Sequence, residues 1–258
     1  MNKILAGVLV AAFSAGAQAA PIVVDLFDPT TNQTVIVGGG SNTPFSSVTE
    51  PAIPGNTILG GNRDLYLYDV NGANAVRRAY AAVDGGELQY GNDPSVSSKL
   101  SVQWDGADNT SAVDVTGLGG FDLTAGGSNT GFQLTTLESD LDWKFSLQAW
   151  TDADNWTKIT FVATAVDGTG DPHVSFIPFA GFLACGYSDA LVTVECAGGT
   201  NPVNFASLGA LEAIINTEGK IAIDLRLAEV RAVPEPATLA LVGLGLVGLA
   251  AQRRRKTA

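Results

Sequence analysis

Four stretches of this chain alternate apolar and polar side chains with a period of two. Leu100, Val102 and Trp104 are separated by Ser101 and Gln103; Trp143, Phe145, Leu147 and Ala149 by Lys144, Ser146 and Gln148. Ile159, Phe161, Ala163 and Ala165 follow the same rule, as do Ile221, Ile223, Leu225 and Leu227. Successive residues of a β-strand point to opposite faces, so each stripe presents one face to a core and one to water. Shorter apolar runs at 22–27, 34–37, 64–70, 132–137, 174–177 and 191–194 predict further strands. Turn signals such as Asp105-Gly106, Asp167-Gly168 and Gly126-Gly127 divide them. About ten strands without a long helical pattern between them predict an all-β antiparallel β-sandwich. The segment holding Phe205, Leu208, Leu211, Ile214 and Ile215 fits a helical stripe as well; the expectation is a strand with at most one helical turn at its start.

Composition narrows the function. One His and two Cys cannot build a zinc finger or an iron–sulfur site. A net charge of −12 excludes the basic face that a nucleic-acid binder needs, so no nucleic-acid partner is expected. Gly-x-Gly-x-x-Gly at Gly243, Gly245 and Gly248 sits in an apolar run with no βαβ unit around it, so it is not a dinucleotide fingerprint.

Both ends read as addresses. Residues 1–19 carry Lys3, an apolar run from Ile4 to Phe13, and the small-x-small pattern Ala17-Gln18-Ala19, which together predict a cleaved secretory signal peptide. Residues 233–258 hold Pro234, Glu235 and Pro236, an apolar block from Ala237 to Ala251, and the basic tail Arg253, Arg254, Arg255 and Lys256. At 1.5 Å per residue the block covers about 22 Å. With snorkelling arginines it predicts one thin C-terminal transmembrane helix, its basic end cytoplasmic. Two prolines keep the preceding segment extended, as a membrane-embedded protease would require. Pro-Glu-Pro, apolar helix and Arg-rich tail, in that order, closely resemble the PEP-CTERM sorting signal. The resemblance implies a Gram-negative host that makes exopolysaccharide. It also implies an exosortase as partner, which cleaves near the motif after transient membrane anchoring.

The exported part, residues 20–232, contains segments similar to those of other PEP-CTERM proteins: Ile58 to Leu65, Gln103 to Gly106, Gly119 to Thr124, and Asp224 to Leu227. Such ectodomains resemble the jelly-roll sandwiches of carbohydrate-binding modules, which implies a jelly-roll-like fold.

Candidate chemistry in this domain is sparse. Cys185 and Cys196 lie in the exported part and are expected to form a structural disulfide. His173 stands at a turn, and no Gly-x-Ser-x-Gly elbow supplies it with a nucleophile; no catalytic residue is assigned. Carboxylates gather in loops, as Asp105 with Asp108, Asp140 with Asp142, Asp152 with Asp154 and Asn155, and Asp167 with Asp171. These are oxygen donors of the kind calcium takes, although Asp152-Ala153-Asp154 fails as an EF-hand loop. No resident cofactor and no metal ligands are therefore assigned, and calcium is left open. Trp104 and Trp143 fall on core faces. Trp150 and Trp156 fall elsewhere and are the candidates for an exposed sugar-stacking site. The expectation is a non-enzymatic protein of the cell surface or exopolysaccharide matrix, structural or adhesive in role. The alternatives are a carbohydrate-binding module, calcium-assisted or not, and a jelly-roll hydrolase.

Overall fold

A computed structural model describes residues 20–50, 57–169 and 171–235. The expected signal peptide, Pro236, the apolar block and the basic tail lie outside them. Among the described residues no helix is long and apolar enough to cross a membrane.

Among the described residues, fifteen strands form two antiparallel sheets that face each other. In chain order they are β1 (Ile22–Asp25), β2 (Gln33–Gly38), β3 (Ser41–Thr43), β4 (Phe45–Thr49), β5 (Asn62–Asn71), β6 (Arg78–Asp84), β7 (Glu87–Asn92) and β8 (Ser97–Trp104). Then follow β9 (Gly131–Ser139), β10 (Trp143–Asp152), β11 (Asn155–Ala163), β12 (His173–Pro178), β13 (Val192–Cys196), β14 (Ala210–Ile215) and β15 (Asp224–Val233). The eight-stranded sheet runs β12-β9-β15-β7-β6-β2-β3, with β1 added beside β15. The seven-stranded sheet runs β13-β11-β10-β14-β8-β5-β4.

The alternating stripes place the core. Leu100, Val102, Trp104, Trp143, Leu147 and Ala149 are all at most 2% exposed and pack between the sheets with Leu65, Leu67 and Leu225. At one end Phe132, Phe179, Phe182 and Phe205 meet edge-on, tilted or stacked, with centroids 4.2–5.9 Å apart. The ambiguous segment resolves as a single helical turn at Phe205–Ser207 followed by strand β14.

Two features depart from the simple alternation. The count is fifteen strands rather than about ten, because β3, β4, β6 and β7 lack a run of β-branched or aromatic residues. On β6 the core face is built from Ala79, Ala81 and Val83, small side chains that leave little periodic signal. On β15 the stripe does not begin at Ile221, which is 55% exposed. Irregularities around Leu227 shift the phase by one residue, so that Leu225 and Leu227 point inward and are followed by Val230 and Ala232.

A polar network crosses the core at the β1 end. Asp25 and Arg63, both 0% exposed, form an ion pair with Nη1 2.9 Å from Oδ1 and 3.1 Å from Oδ2. Trp104 Nε1 and the Phe27 amide also donate to Asp25, at 2.8 and 2.7 Å. Arg63 spends its remaining donors on Gln33 Oε1 and the Thr31 carbonyl, both at 2.8 Å. The network therefore ties β1, β2, β5 and β8 together with every charge partnered.

Candidate functional site

Beneath the segment that leaves β8, three carboxylates converge. Asp64 on β5, Asp105 just after β8 and Asp108 each place one oxygen within 4.8 Å of the other two. Asp64 and Asp105 are 0% and 1% exposed. The sheet register accounts for part of this: Asp64 and Gln103 are direct cross-strand partners, and Gln103 in turn opposes Glu212 on β14. They share the face turned away from the core. On an ordinary sandwich that face is wet, but here the segment after β8 folds back over it. Asp105 Oδ2 accepts from the Asp114 amide at 2.8 Å, Asp108 caps Thr110, and Gln103 Nε2 donates to the Ser111 carbonyl. Gly117 makes the fold-back possible, since a Cβ there would fall 1.7 Å from the Asp105 carbonyl oxygen.

The electrostatics of this cluster are unbalanced. Neither oxygen of Asp64 has a hydrogen-bond partner, and Asp105 Oδ1 and Gln103 Oε1 are likewise without one. Burial, with the nearby Asp108 carboxylate adding to it, outweighs the opposing pull of the cross-strand Ser47 hydroxyl and pushes Asp64 up to about 6. Burial and the charges of Asp108, Asp64 and Asp114 push Asp105 up to about 7, against the pull of the Asp114 amide. Pairing Asp105 with Asp108 was legible from their spacing. Asp64 was not, because it arrives from a strand forty residues upstream and only the register brings it there.

The other predicted positions are distributed elsewhere. Asp152 accepts from the Asp154 amide and from Asn155 Nδ2, and Asp167 accepts from the Thr169 amide, so both act as turn residues. Asp140 and Asp142 accept from the amides of Asp224 and Ala165. Trp150 corrects its expectation: it is 8% exposed, not an open platform. It does lie on the face opposite Leu147, but that face is covered near it. The Val115 backbone packs against Gly209, whose amide donates to the Trp150 carbonyl. Trp156, its cross-strand partner, is half-buried.

Cys185 and Cys196 form a disulfide that joins the turn after Phe179–Leu183 to the edge strand β13. Between them the Gly186 amide donates to the Val194 carbonyl and the Val194 amide to the Tyr187 carbonyl, so the disulfide pins a small hairpin.

A cleft opens between the sheets at their β11–β12 margin, with a volume of about 490 Å3. Its wall includes Trp143, Phe145, Ile159 and Phe161, with Thr136, His173 and Ser175 adding polar groups. None of its lining residues is acidic, so Asp64 and Asp105 do not face it.

At the C-terminal end β15 runs through the interior of the eight-stranded sheet. It pairs with β9 along Leu225–Val233, and on its other side with β7 and then β1. Its last residue, Val233, directly precedes Pro234 and Glu235. A comparison with curated proteins found no match. The family model of the PEP-CTERM protein-sorting motif matches residues 232–255, which implies exosortase recognition, export and membrane-linked sorting. The chain thus carries a PEP-CTERM protein-sorting motif directly after an antiparallel β-sandwich.

Proposed function

We propose that the sandwich, jelly-roll-like in type, serves as a structural or adhesive component of the cell surface or exopolysaccharide matrix, without catalysis, after an exosortase has acted on its tail. The observation that carries this reading is the junction at Val233, where the sorting-motif match starts within the last two residues of an interior strand and Pro-Glu follows at once. A tether attached there transmits the fold's full cohesion to the envelope, which suits a protein whose work is to stay attached. That junction is separate from the cleft at the β11–β12 margin, whose lining includes neither Ala232 nor Val233. Glu235→Ala and Pro236→Ala should leave unprocessed precursor in the membrane of the producing cell, read by blotting of membrane and released fractions. Wild-type release of both variants would overturn the sorting part of the proposal.

Glycan binding is the second reading, and the same cleft favours it over Trp150 and Trp156. Its aromatic wall with Thr136, His173 and Ser175 combines the apolar surface and sparse polar groups of a ligand site. Retention of the purified protein on exopolysaccharide, lost on Phe161→Ala, would support that reading; no retention would leave the structural role.

A further inference from the structure

The carboxylate cluster on the outer face of the seven-stranded sheet has no role in sorting or in the cleft. We propose that Asp64, Asp105 and Asp108, with Gln103, form a calcium site that pins the segment 105–117 to the sheet.

Three carboxylates gathered this closely repel one another, and sequence proximity alone would not make them a site. The decisive observation is Gln103. This side chain is 2% exposed and its Oε1 has no hydrogen-bond partner. Its Nε2 turns toward Glu212, on the strand to one side, and toward the Ser111 carbonyl. The amide's two branches diverge, so Oε1 is left toward the other side, where Asp64 is the direct cross-strand neighbour. Asp64 adds two more buried oxygens without a hydrogen bond of ordinary geometry, the Ser47 hydroxyl being its polar neighbour on β4, and Asp105 adds one. A buried acceptor without a donor costs about 1–3 kcal/mol, and more when charged. Four such atoms on one sheet face, beside three carboxylate oxygens that lie within 4.8 Å of one another, point to a positive partner.

The donor set identifies that partner. Every available atom is oxygen, with neither His nitrogen nor thiolate, which selects a hard cation over zinc or copper. Calcium–oxygen distances of roughly 2.4 Å put ligands on opposite sides of the ion roughly 4.8 Å apart. The three carboxylate oxygens lie within 4.8 Å of one another, so a single ion can touch all of them. Three of the ligands, Asp64, Gln103 and Asp105, come from sheet positions or their immediate edge, and Asp108 comes from the loop. That division is what a clamp requires: the sheet holds the ion, and the ion holds the loop. Calcium is also abundant outside the cell, where extracellular modules bind with dissociation constants of about 10⁻⁴–10⁻³ M.

The test uses the purified exported protein, stripped with EDTA and dialysed at pH 7.5. Calcium chloride is titrated calorimetrically, and thermal unfolding is followed with and without about 5 mM calcium. The expected result is saturable binding of one ion and a rise in Tm of several degrees. Asp64→Asn and Asp105→Asn should each weaken binding at least tenfold and abolish most of the Tm rise. Asp64→Asn also removes one of the crowded charges, so the metal-free variant should fold at least as well as the metal-free wild type. Asp152→Asn, in a different acidic turn, should bind as the wild type does. Absence of both heat and Tm shift in the wild type would overturn the proposal, as would undiminished binding in Asp64→Asn. Either outcome is separate from sorting, which is read by processing of the tail.

Discussion

Replacing Arg63 with methionine isolates the network that joins β1, β2, β5 and β8. Methionine fills the guanidinium's stem volume but makes none of its bonds. The change removes two contacts to Asp25, at 2.9 and 3.1 Å, and the bonds to Gln33 and Thr31. Asp25 is left 0% exposed with only Trp104 Nε1 and the Phe27 amide as donors, an uncompensated buried carboxylate. Breaking a buried pair in this way costs about 3–5 kcal/mol. At about 2–4 °C per kcal/mol for a domain of this size, Tm should fall by roughly 6–20 °C. Urea denaturation should show the same loss in midpoint. High salt should not reduce the difference, because screening does not reach a pair with no exposure. The double variant Asp25→Asn/Arg63→Met removes the stranded charge and should be more stable than the Arg63→Met single variant, with a coupling of about 1–3 kcal/mol. A single variant within about 1 kcal/mol of wild type, or a double variant that loses the simple sum, would refute the account of a mutually satisfied network.

Further outcomes follow from other parts of the fold. Metal-free protein should lose stability as pH rises from about 4 to about 7. Asp64 and Asp105 are raised above their ordinary value of 3.8, to about 6 and about 7, so in that window the folded state holds more protons than the unfolded chain. Calcium at pH 7.5 should reverse that loss, and a pH series of melts checks both signs. Cys185→Ala/Cys196→Ala opens a short loop and should cost about 2–3 kcal/mol by urea denaturation, with local fraying of β13 read as faster amide exchange. Gly117→Ala, whose Cβ cannot coexist with the Asp105 carbonyl, should lower Tm and weaken calcium binding together. If calcium binding survives unchanged in that variant, the fold-back does not shape the site.

Most of the sandwich was legible because burial imposes its period directly on the residue order. Trp143, Phe145 and Leu147 needed no tertiary knowledge to be placed on one face of a strand. Residues whose role depends on register were not legible in the same way. Asp64 and Gln103 sit opposite one another only once β5 and β8 are paired, and nothing in either strand alone announces the partner. The adjacent charges Arg63 and Asp64, directly before the alternating Leu65–Tyr68 stretch, were the one available hint: one points into the core and the other away from it, and each needs an opposite charge. Trp150 failed for the complementary reason. Alternation says which side of a strand a residue occupies, but not whether a later segment will cover that side. The cysteine pair lay between these cases, since short spacing and an exported context suffice to predict a local bridge.

The position of β15 has a mechanical consequence. Ile22 lies opposite Ala232, so the first strand and the last meet at one end of the sandwich, and the tail leaves from that end. Tension applied through Pro234 against a matrix gripping the rest of the surface would pull β15 along its own axis. Its hydrogen bonds to β9 on one side and to β1 and β7 on the other would then be strained in shear, many at once, rather than unzipped singly. Resistance to such pulling is governed by the rate of unfolding and not by equilibrium stability. A sandwich of modest thermodynamic stability can thus remain folded under drag for as long as its tether holds.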